Sequence, residues 1–143
     1  MRVALFGLAL ALGSSAACAA PITPRGITIK TACAGPVADA ARKVATANKL
    51  KLGLQPGACF GEMKIYDGPD VQYVAVAPSP ACPRGKALDV FGKSRAGSWY
   101  SYFEKPICGA ALVIGPKNQW GDWMLTIDGR RYDSRGAYYV SVS

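Results

Sequence analysis

Four cysteines that follow an apolar N-terminus constrain the fold of this chain more than any other feature. They are Cys33, Cys59, Cys82 and Cys108, spaced 26, 23 and 26 residues apart. An even number of cysteines behind an export signal is typical of disulfide bonds, so we expect two. Three pairings are possible, and the spacing does not choose between them. Each bridge closes a loop of a few tens of residues and should stabilise the fold by about 3 kcal/mol.

A structural zinc site is the alternative use of four cysteines, and the sequence disfavours it. No two of them form a Cys-x-x-Cys pair, and histidine is absent from all 143 residues. An oxidising compartment also favours disulfides over metal-binding thiolates. We therefore expect neither a metal nor a cofactor.

The first 19 residues have the pattern of a cleaved export signal. Arg2 supplies a positive start, residues 3–13 form an apolar run, and Ala17-Cys18-Ala19 fits the small-x-small rule for cleavage after Ala19. The run is too short to span a bilayer, and no later segment approaches that length. We predict a secreted protein, or a periplasmic one if bacterial, with no transmembrane segment. The alternative, in which Cys18 accepts a lipid, lacks the usual large aliphatic residue three places earlier.

Cleavage would leave 124 residues, enough for one domain with its own core. Residues 20–26 contain two prolines and predict an extended leader. Residues 27–143 should form the single domain. The loss of Arg2 lowers the net charge from +8 to +7.

One segment, at about residues 36–50, predicts a helix. Pro36 suits the first helical position, because it has no amide hydrogen to leave unpaired. Apolar residues recur at helical spacing and predict the face that packs on a sheet: Val37, Ala40, Ala41, Val44 and Ala47. The opposite face should be solvated and contains Arg42, Lys43, Thr46 and Lys49.

The remainder of the chain predicts strands and turns. Residues 27–32 alternate like a half-buried strand, and the turn Asp67–Asp70 joins two strands in a hairpin. Residues 86–92 fit either a helical turn or a short strand. The nearly continuous apolar run 107–115 predicts a central strand that is buried on both faces. The expected fold is α+β: a single domain with a mainly antiparallel sheet of about six strands, one packed helix and two disulfides.

A hairpin near the C-terminus is rich in arginine. Its turn, Asp128-Gly129, is the pair that a two-residue type I′ turn needs, because both positions take positive φ. The register that follows pairs Ile127 with Arg130, Thr126 with Arg131, Leu125 with Tyr132 and Met124 with Asp133. In this register, Tyr132 faces the core with Trp123, Leu125 and Ile127, and Arg131 faces outward.

The turn geometry accounts for this hairpin before any ligand is invoked. Its arginines, Arg130, Arg131 and Arg135, are nevertheless candidates for contact with a partner. Asp128 and Asp133 should neutralise part of their charge, although exposed ion pairs contribute only ~0–1 kcal/mol.

Most familiar catalytic groups are missing. The absence of histidine excludes Ser-His-Asp and Cys-His nucleophiles. The nucleophile-elbow and phosphate-binding glycine patterns are absent too. Carboxylates remain, and a pair such as Glu62 and Glu104 could cleave a glycosidic bond. The sequence does not show whether these two glutamates converge.

The positive charge indicates the kind of partner. It favours a protein with an acidic surface or an anionic polysaccharide, whereas no recognisable module points to nucleic acid. A membrane surface is a further possibility, and salt should weaken binding to any of these. Aromatic side chains supply the contact area, and the outward set predicted from strand alternation is Tyr100, Tyr102 and Tyr139.

The expected function is therefore that of a secreted, non-catalytic, monomeric binding protein, such as an inhibitor, an immunity protein or a host-directed effector. Its contact residues would be Arg130, Arg131, Arg135, Tyr100, Tyr102 and Tyr139. The alternative is a small cationic toxin or a hydrolase of cell walls or glycans that uses Glu62, Glu104 or an aspartate.

Overall fold

Residues 21–142 are described by a computed structural model and contain one α-helix, one 3₁₀ helix and nine strands. The α-helix is α1 (Pro36–Asn48), and the 3₁₀ helix is Lys51–Leu54. The strands are β1 (Cys59–Met63), β2 (Gln72–Pro78), β3 (Lys86–Lys93), β4 (Trp99–Ser101), β5 (Ile107–Cys108), β6 (Leu112–Lys117), β7 (Trp123–Ile127), β8 (Arg130–Arg135) and β9 (Tyr138–Ser141). The predicted export signal, 1–19, and the alternative role of Cys18 lie outside the described residues.

The strands form two antiparallel sheets. The first has the order β1-β2-β3-β4, with β5 also paired to β3, and the second has the order β6-β7-β8-β9. The α+β class with one packed helix and two disulfides is confirmed. The single sheet of about six strands is replaced by nine strands in two sheets.

Two hydrophobic cores lie on opposite faces of the first sheet. On β3, Leu88 and Val90 face the core between the two sheets, whereas Ala87 and Phe91 face the core beneath α1. The molecule therefore has three layers: helix, sheet and sheet. Residues 86–92, which the sequence leaves undecided, belong to β3, and both faces of this strand are buried.

The helix begins at Pro36 as predicted, but its buried face differs from the predicted one. The fully buried residues are Ala38, Ala41 and Ala45, and Val37 and Val44 pack at the margins. Ala40 and Ala47 are exposed, so their placement on the buried face is wrong. Because alanine side chains are small, three of them at the contact let the helix approach the sheet closely. The face that packs on the sheet is therefore the one with the alanines and not the one with the valines.

Arg42 is another departure from the predicted helix faces. Its guanidinium donates a hydrogen bond to the carbonyl oxygen of Cys33 at 3.2 Å and lies 5.3 Å from the ring centre of Phe60. This side chain is half-buried and binds α1 to its neighbours, rather than being solvated.

The apolar run 107–115 is not one central strand, and that prediction is wrong. β5 pairs with β3 in the first sheet, whereas β6 begins the second sheet at Leu112. Between them the chain crosses from one sheet to the other, and Gly109 adopts φ 157° where a Cβ would lie 2.6 Å from the side chain of Ile127. The run is apolar because it contributes to two sheets in succession.

The segment 27–32 joins the two sheets instead of forming a regular strand. Thr28 bridges to Val113 of β6, and Ala32 bridges to Phe60 of β1. Gly61 permits this crossing, because a Cβ there would collide with the carbonyl oxygen of Lys30. Thr23, in the predicted leader, is attached to the same region: its N–H donates to the carbonyl oxygen of Lys64, and its hydroxyl oxygen accepts from the N–H of Lys64.

The two disulfides pair Cys33 with Cys59 and Cys82 with Cys108. The first fixes the chain before α1 to β1, and the second fixes the β2–β3 loop to β5. Within residues 21–142, no helix combines the length and the apolar character needed to cross a bilayer.

Candidate functional site

The arginine-rich hairpin has the predicted turn and register. Asp128 and Gly129 adopt φ values of 47° and 83°, as a type I′ turn requires. Leu125 lies opposite Tyr132, and both are buried in the core between the sheets. The prediction of this hairpin from its turn residues is therefore confirmed.

The two aspartates of the hairpin do not pair with its arginines, so the predicted neutralisation is wrong. The carboxylate of Asp128 accepts hydrogen bonds from the backbone N–H groups of Ala110 and Ala111, the latter at 3.0 Å. The carboxylate of Asp133 is buried and accepts hydrogen bonds from Asn118 at 2.7 Å and from its neighbour's amide at 2.9 Å. Each carboxylate therefore accepts hydrogen bonds from backbone or amide groups and forms no ion pair with an arginine of the hairpin.

The hairpin arginines consequently have no carboxylate partner within the described residues. The ion pairs found in residues 21–142 join Arg42 to Asp39 and Lys93 to Asp70. Within that range, no ion pair neutralises the charge of the hairpin arginines.

Strand alternation divides the three arginines between two surfaces. Arg131 and Arg135 lie on the outer face of β8, opposite in direction to the buried Tyr132. Arg130 follows the turn and lines a cavity of about 520 Å³ together with Arg84 and the segment 106–109. The sequence analysis assigned all three arginines to one site, whereas the structure places them at two.

The outer face of the second sheet also carries exposed apolar side chains. Tyr138 lies opposite Arg135, and Val140 lies opposite Asp133; their exposed fractions are 41% and 42%. Trp120, in the β6–β7 loop, is 60% exposed, and the guanidinium of Arg135 lies 5.5 Å from its ring centre. We call this set the outer-face patch; it consists of Trp120, Arg131, Arg135, Tyr138 and Val140.

A hydrogen-bond network fixes the loop that presents Trp120. The side-chain oxygen of Asn118 accepts hydrogen bonds from the amides of Trp120 and Asp122, both at 2.9 Å. The side-chain amide of Asn118 in turn donates to the buried carboxylate of Asp133. Asp133 thus positions one end of the patch, a role that the sequence does not indicate.

Tyr102 and Tyr139 are buried, with exposed fractions of 2% and 6%, so the prediction that they face outward is wrong. The strand alternation on which it relied ends at Ser101, where β4 ends. The N–H of Tyr139 then donates to the carbonyl oxygen of Tyr102, and the two rings stack with centres 5.8 Å apart. This contact joins the segment after β4, in the first sheet, to β9, in the second.

The buried tyrosines form a polar network at this end of the molecule. The hydroxyl of Tyr139 donates to the carbonyl oxygen of Trp123 at 2.7 Å and lies 3.4 Å from the hydroxyl of Tyr66. Burial raises the pKa of Tyr102 and of Tyr139 well above the ordinary tyrosine value. Tyr100 is 38% exposed and is the one member of the predicted aromatic set that reaches the surface.

Glu62 and Glu104 are not brought together in a cleft. Glu62 lies on β1 and Glu104 in the loop after β4, and both are exposed. Neither lines the Arg130 cavity or the two cavities beside α1. In the part of the chain that the structure describes, no cluster of three or more Asp, Glu, Cys or His side chains could hold a metal ion.

Asp89 is a buried carboxyl group that the sequence analysis missed. It is 4% exposed, and it accepts hydrogen bonds from the hydroxyl of Ser101 at 2.7 Å and from the amide of Val90 at 2.8 Å. Burial raises its pKa to about 6, and the two hydrogen bonds offset part of that effect. The visible signal was a single aspartate within the apolar stretch of β3.

Comparison with known proteins gives no relative: no family model, no curated protein and no solved structure matches the chain.

Proposed function

We propose that this is an exported, non-catalytic binding protein that acts as a monomer through its outer-face patch on an acidic surface of another protein. The observation that carries the proposal is the combination, on one sheet face, of exposed Tyr138 and Val140 with Arg131 and Arg135, which form no ion pair with any carboxylate of residues 21–142. Export is supported by the two disulfides and by the pattern of the first 19 residues.

The mixture of side chains in the patch favours a protein over a polysaccharide. An anionic polysaccharide would use the guanidinium groups but would leave Val140 largely exposed to water. A protein partner buries valine, tyrosine and tryptophan side chains and pairs its carboxylates with the arginines. Tyrosine, tryptophan and arginine are also the residues that dominate the energetics of protein interfaces.

The backbone that carries the patch is hydrogen-bonded in place, so it loses little entropy on binding. Arg131, Arg135, Tyr138 and Val140 project from paired strands, and Trp120 is fixed by the Asn118–Asp133 network. A binding protein of the inhibitor, immunity or effector type needs such a preformed surface. A hydrolase would need convergent carboxylates, whereas Glu62 lies on β1 and Glu104 in the loop after β4, both exposed and neither lining a cavity described above.

The test is capture of partners from host or competitor extracts on the immobilised, disulfide-bonded protein, followed by mass spectrometry. The double variant R131S/R135S should fold normally and lose the captured protein. Measured with the purified partner, its affinity should fall at least about tenfold, since each charge-assisted hydrogen bond is worth ~1.5–3 kcal/mol. Raising the salt concentration should weaken the wild-type complex.

The matched control is K43S/K49N, which removes the same charge from α1 and the residue that follows it. Asparagine suits position 49 because Lys49 has φ 54°, a left-handed conformation that asparagine tolerates. This control should retain the partner. Equal loss of binding in both double variants would mean that net charge, and not the outer-face patch, is responsible. Release of the partner by polysaccharide-degrading enzymes would replace the proposal with a polysaccharide ligand.

A further inference from the structure

The cavity that contains Arg130 is a second surface site, distinct from the outer-face patch. Its volume of about 520 Å³ lies within the range of small-molecule sites, ~300–1,000 Å³. Arg130 enters it from the β7–β8 turn, and Arg84 enters it from the β2–β3 loop. Arg131, the next residue along β8, faces the opposite side of the sheet.

The charged groups of this cavity favour a monoanion. Two guanidinium groups and the carboxylate of Asp128 line it, which leaves one positive charge in excess. Asp128 already accepts hydrogen bonds from the amides of Ala110 and Ala111 and forms no ion pair with either arginine. A singly charged ligand balances that excess, whereas a dianion such as phosphate would bring a further uncompensated charge.

Apolar side chains also contribute to the lining of the cavity. They belong to Pro83, Pro106, Ile107, Ile127 and Tyr132. A ligand that joins an anionic group to an apolar body would match both kinds of lining side chain. The planar fork of an arginine matches a carboxylate through two parallel hydrogen bonds.

The Cys82–Cys108 disulfide connects the two segments that form the cavity wall. Cys82 precedes Pro83 and Arg84, and Cys108 lies between Ile107 and Gly109. The disulfide thus holds the Arg84 loop against the segment 106–109 before any ligand arrives. A preformed cavity binds at a lower entropic cost than one that must assemble.

We propose that this cavity binds a small monocarboxylic acid whose carboxylate contacts Arg84 and Arg130 and whose hydrocarbon part contacts the apolar side chains. The site is independent of the outer-face patch, because it uses the other face of β8 and shares no residue with the patch. The protein would accordingly carry an organic acid and contact a partner protein through different residues.

The test is an NMR titration of the intact, disulfide-bonded protein with hexanoate. Saturable shifts should be confined to residues 83–84, 106–109 and 127–132. Hexanamide, which lacks the charge, and acetate, which lacks the hydrocarbon part, should each bind at least about tenfold more weakly. Equal affinity for hexanamide, or the absence of saturable shifts with hexanoate, would overturn the proposal.

Adjacent arginines supply the matched variants. R130S and R84S should each weaken hexanoate binding at least about tenfold. R131S removes the same charge one residue away and should change it less than about twofold, because exposed charges at a distance are screened by salt. All three positions are exposed, so the variants should fold, which circular dichroism checks. If R131S weakens hexanoate binding as much as R130S, the cavity is not the binding site.

Loss of partner capture in R131S/R135S with normal hexanoate binding would support both proposals separately. Loss of hexanoate binding in R130S with normal partner capture would do the same. Failure of one proposal therefore leaves the other open to its own measurement.

Discussion

Asp89 lies in the middle of β3 with its carboxyl group removed from water. Its two oxygens accept hydrogen bonds from Ser101 and Val90, and these make the buried site tolerable without making it favourable for the charged form. The folded pKa of about 6 stands above the ordinary aspartate value, with burial as the main cause. This side chain should therefore link folding stability to pH.

The direction of that dependence follows from the two pKa values. Below about pH 4, Asp89 is protonated in both the folded and the unfolded chain and costs nothing. As the pH rises, the unfolded chain loses its proton first, which favours unfolding until the folded group ionises near pH 6. Across this window, Asp89 should lower the free energy of unfolding by about 2–3 kcal/mol.

We predict that D89N removes this part of the pH dependence. Asparagine keeps one acceptor, and the hydroxyl of Ser101 can accept a hydrogen bond from the new amide instead of donating one. Between pH 4 and pH 7, the free energy of unfolding of the wild type should fall by about 2–3 kcal/mol relative to that of D89N. Urea unfolding at several pH values measures it. A difference that stays constant with pH would show that Asp89 titrates normally.

Among the elements, the β7–β8 hairpin was predictable because its information is local. Asp128 and Gly129 determine the turn, the turn determines the register, and the register places Tyr132 inside and Arg131 outside. The position of the helix was predictable for the same reason, but the face that it buries was not. Its buried face depends on which side fits the sheet most closely, and that is a property of the sheet.

Elements that depend on distant contacts were not predictable. The run 107–115 contributes first to one sheet and then to the other, and only the crossing at Gly109 reveals this. Tyr102 is buried against Tyr139 of the other sheet, which bonds to its backbone from 37 residues further along the chain. For the candidate site, the arginines were identified by type, while their division between the patch and the cavity required the tertiary structure.

The two disulfides offer a matched pair of elements for a stability test. Each spans a sequence separation of 26, so loop-closure entropy predicts the same stabilisation for both, about 3 kcal/mol. The free energy of unfolding, measured in urea, should therefore fall by similar amounts in the variants C33A/C59A and C82A/C108A. A difference larger than ~1 kcal/mol would mean that contacts in the folded state, and not chain entropy, dominate.

The local consequences of these two variants should differ. β5 is only two residues long, and the amide of Gly109 bonds to the carbonyl oxygen of Lys86 beside Cys108. Without the Cys82–Cys108 bond, this amide should exchange its hydrogen faster and hexanoate binding should weaken. In C33A/C59A both measurements should stay at the wild-type level. Unchanged exchange in C82A/C108A would show that strand pairing alone holds the cavity wall.

At the scale of the whole molecule, the first sheet is shared by both cores. Each of its central strands presents alternate side chains to α1 and to the second sheet, so neither core can be lost without exposing β2 and β3. The segment 27–32 adds a direct connection, because it bridges β6 of one sheet and β1 of the other. We therefore expect the three layers to unfold together.

Two residues on opposite faces of β3 test that expectation. Leu88 lies in the core between the sheets and Phe91 in the core beneath α1, and both are 0% exposed. L88A should reduce the free energy of unfolding by about 2–5 kcal/mol and F91A by about 3–5 kcal/mol, through lost burial and the cavity left behind. In each variant, one cooperative transition should remain, because β3 belongs to both cores.

The measurement compares two probes during unfolding in urea. Far-ultraviolet circular dichroism follows the backbone. Tryptophan fluorescence follows Trp99, packed against the core beneath α1, and Trp123, packed against the core between the sheets, with a further contribution from the exposed Trp120. Coincident transitions in the wild type and in both variants would support joint unfolding of the layers. If F91A instead separates the two transitions, α1 and its core form an independent unit, and the second sheet remains folded without them.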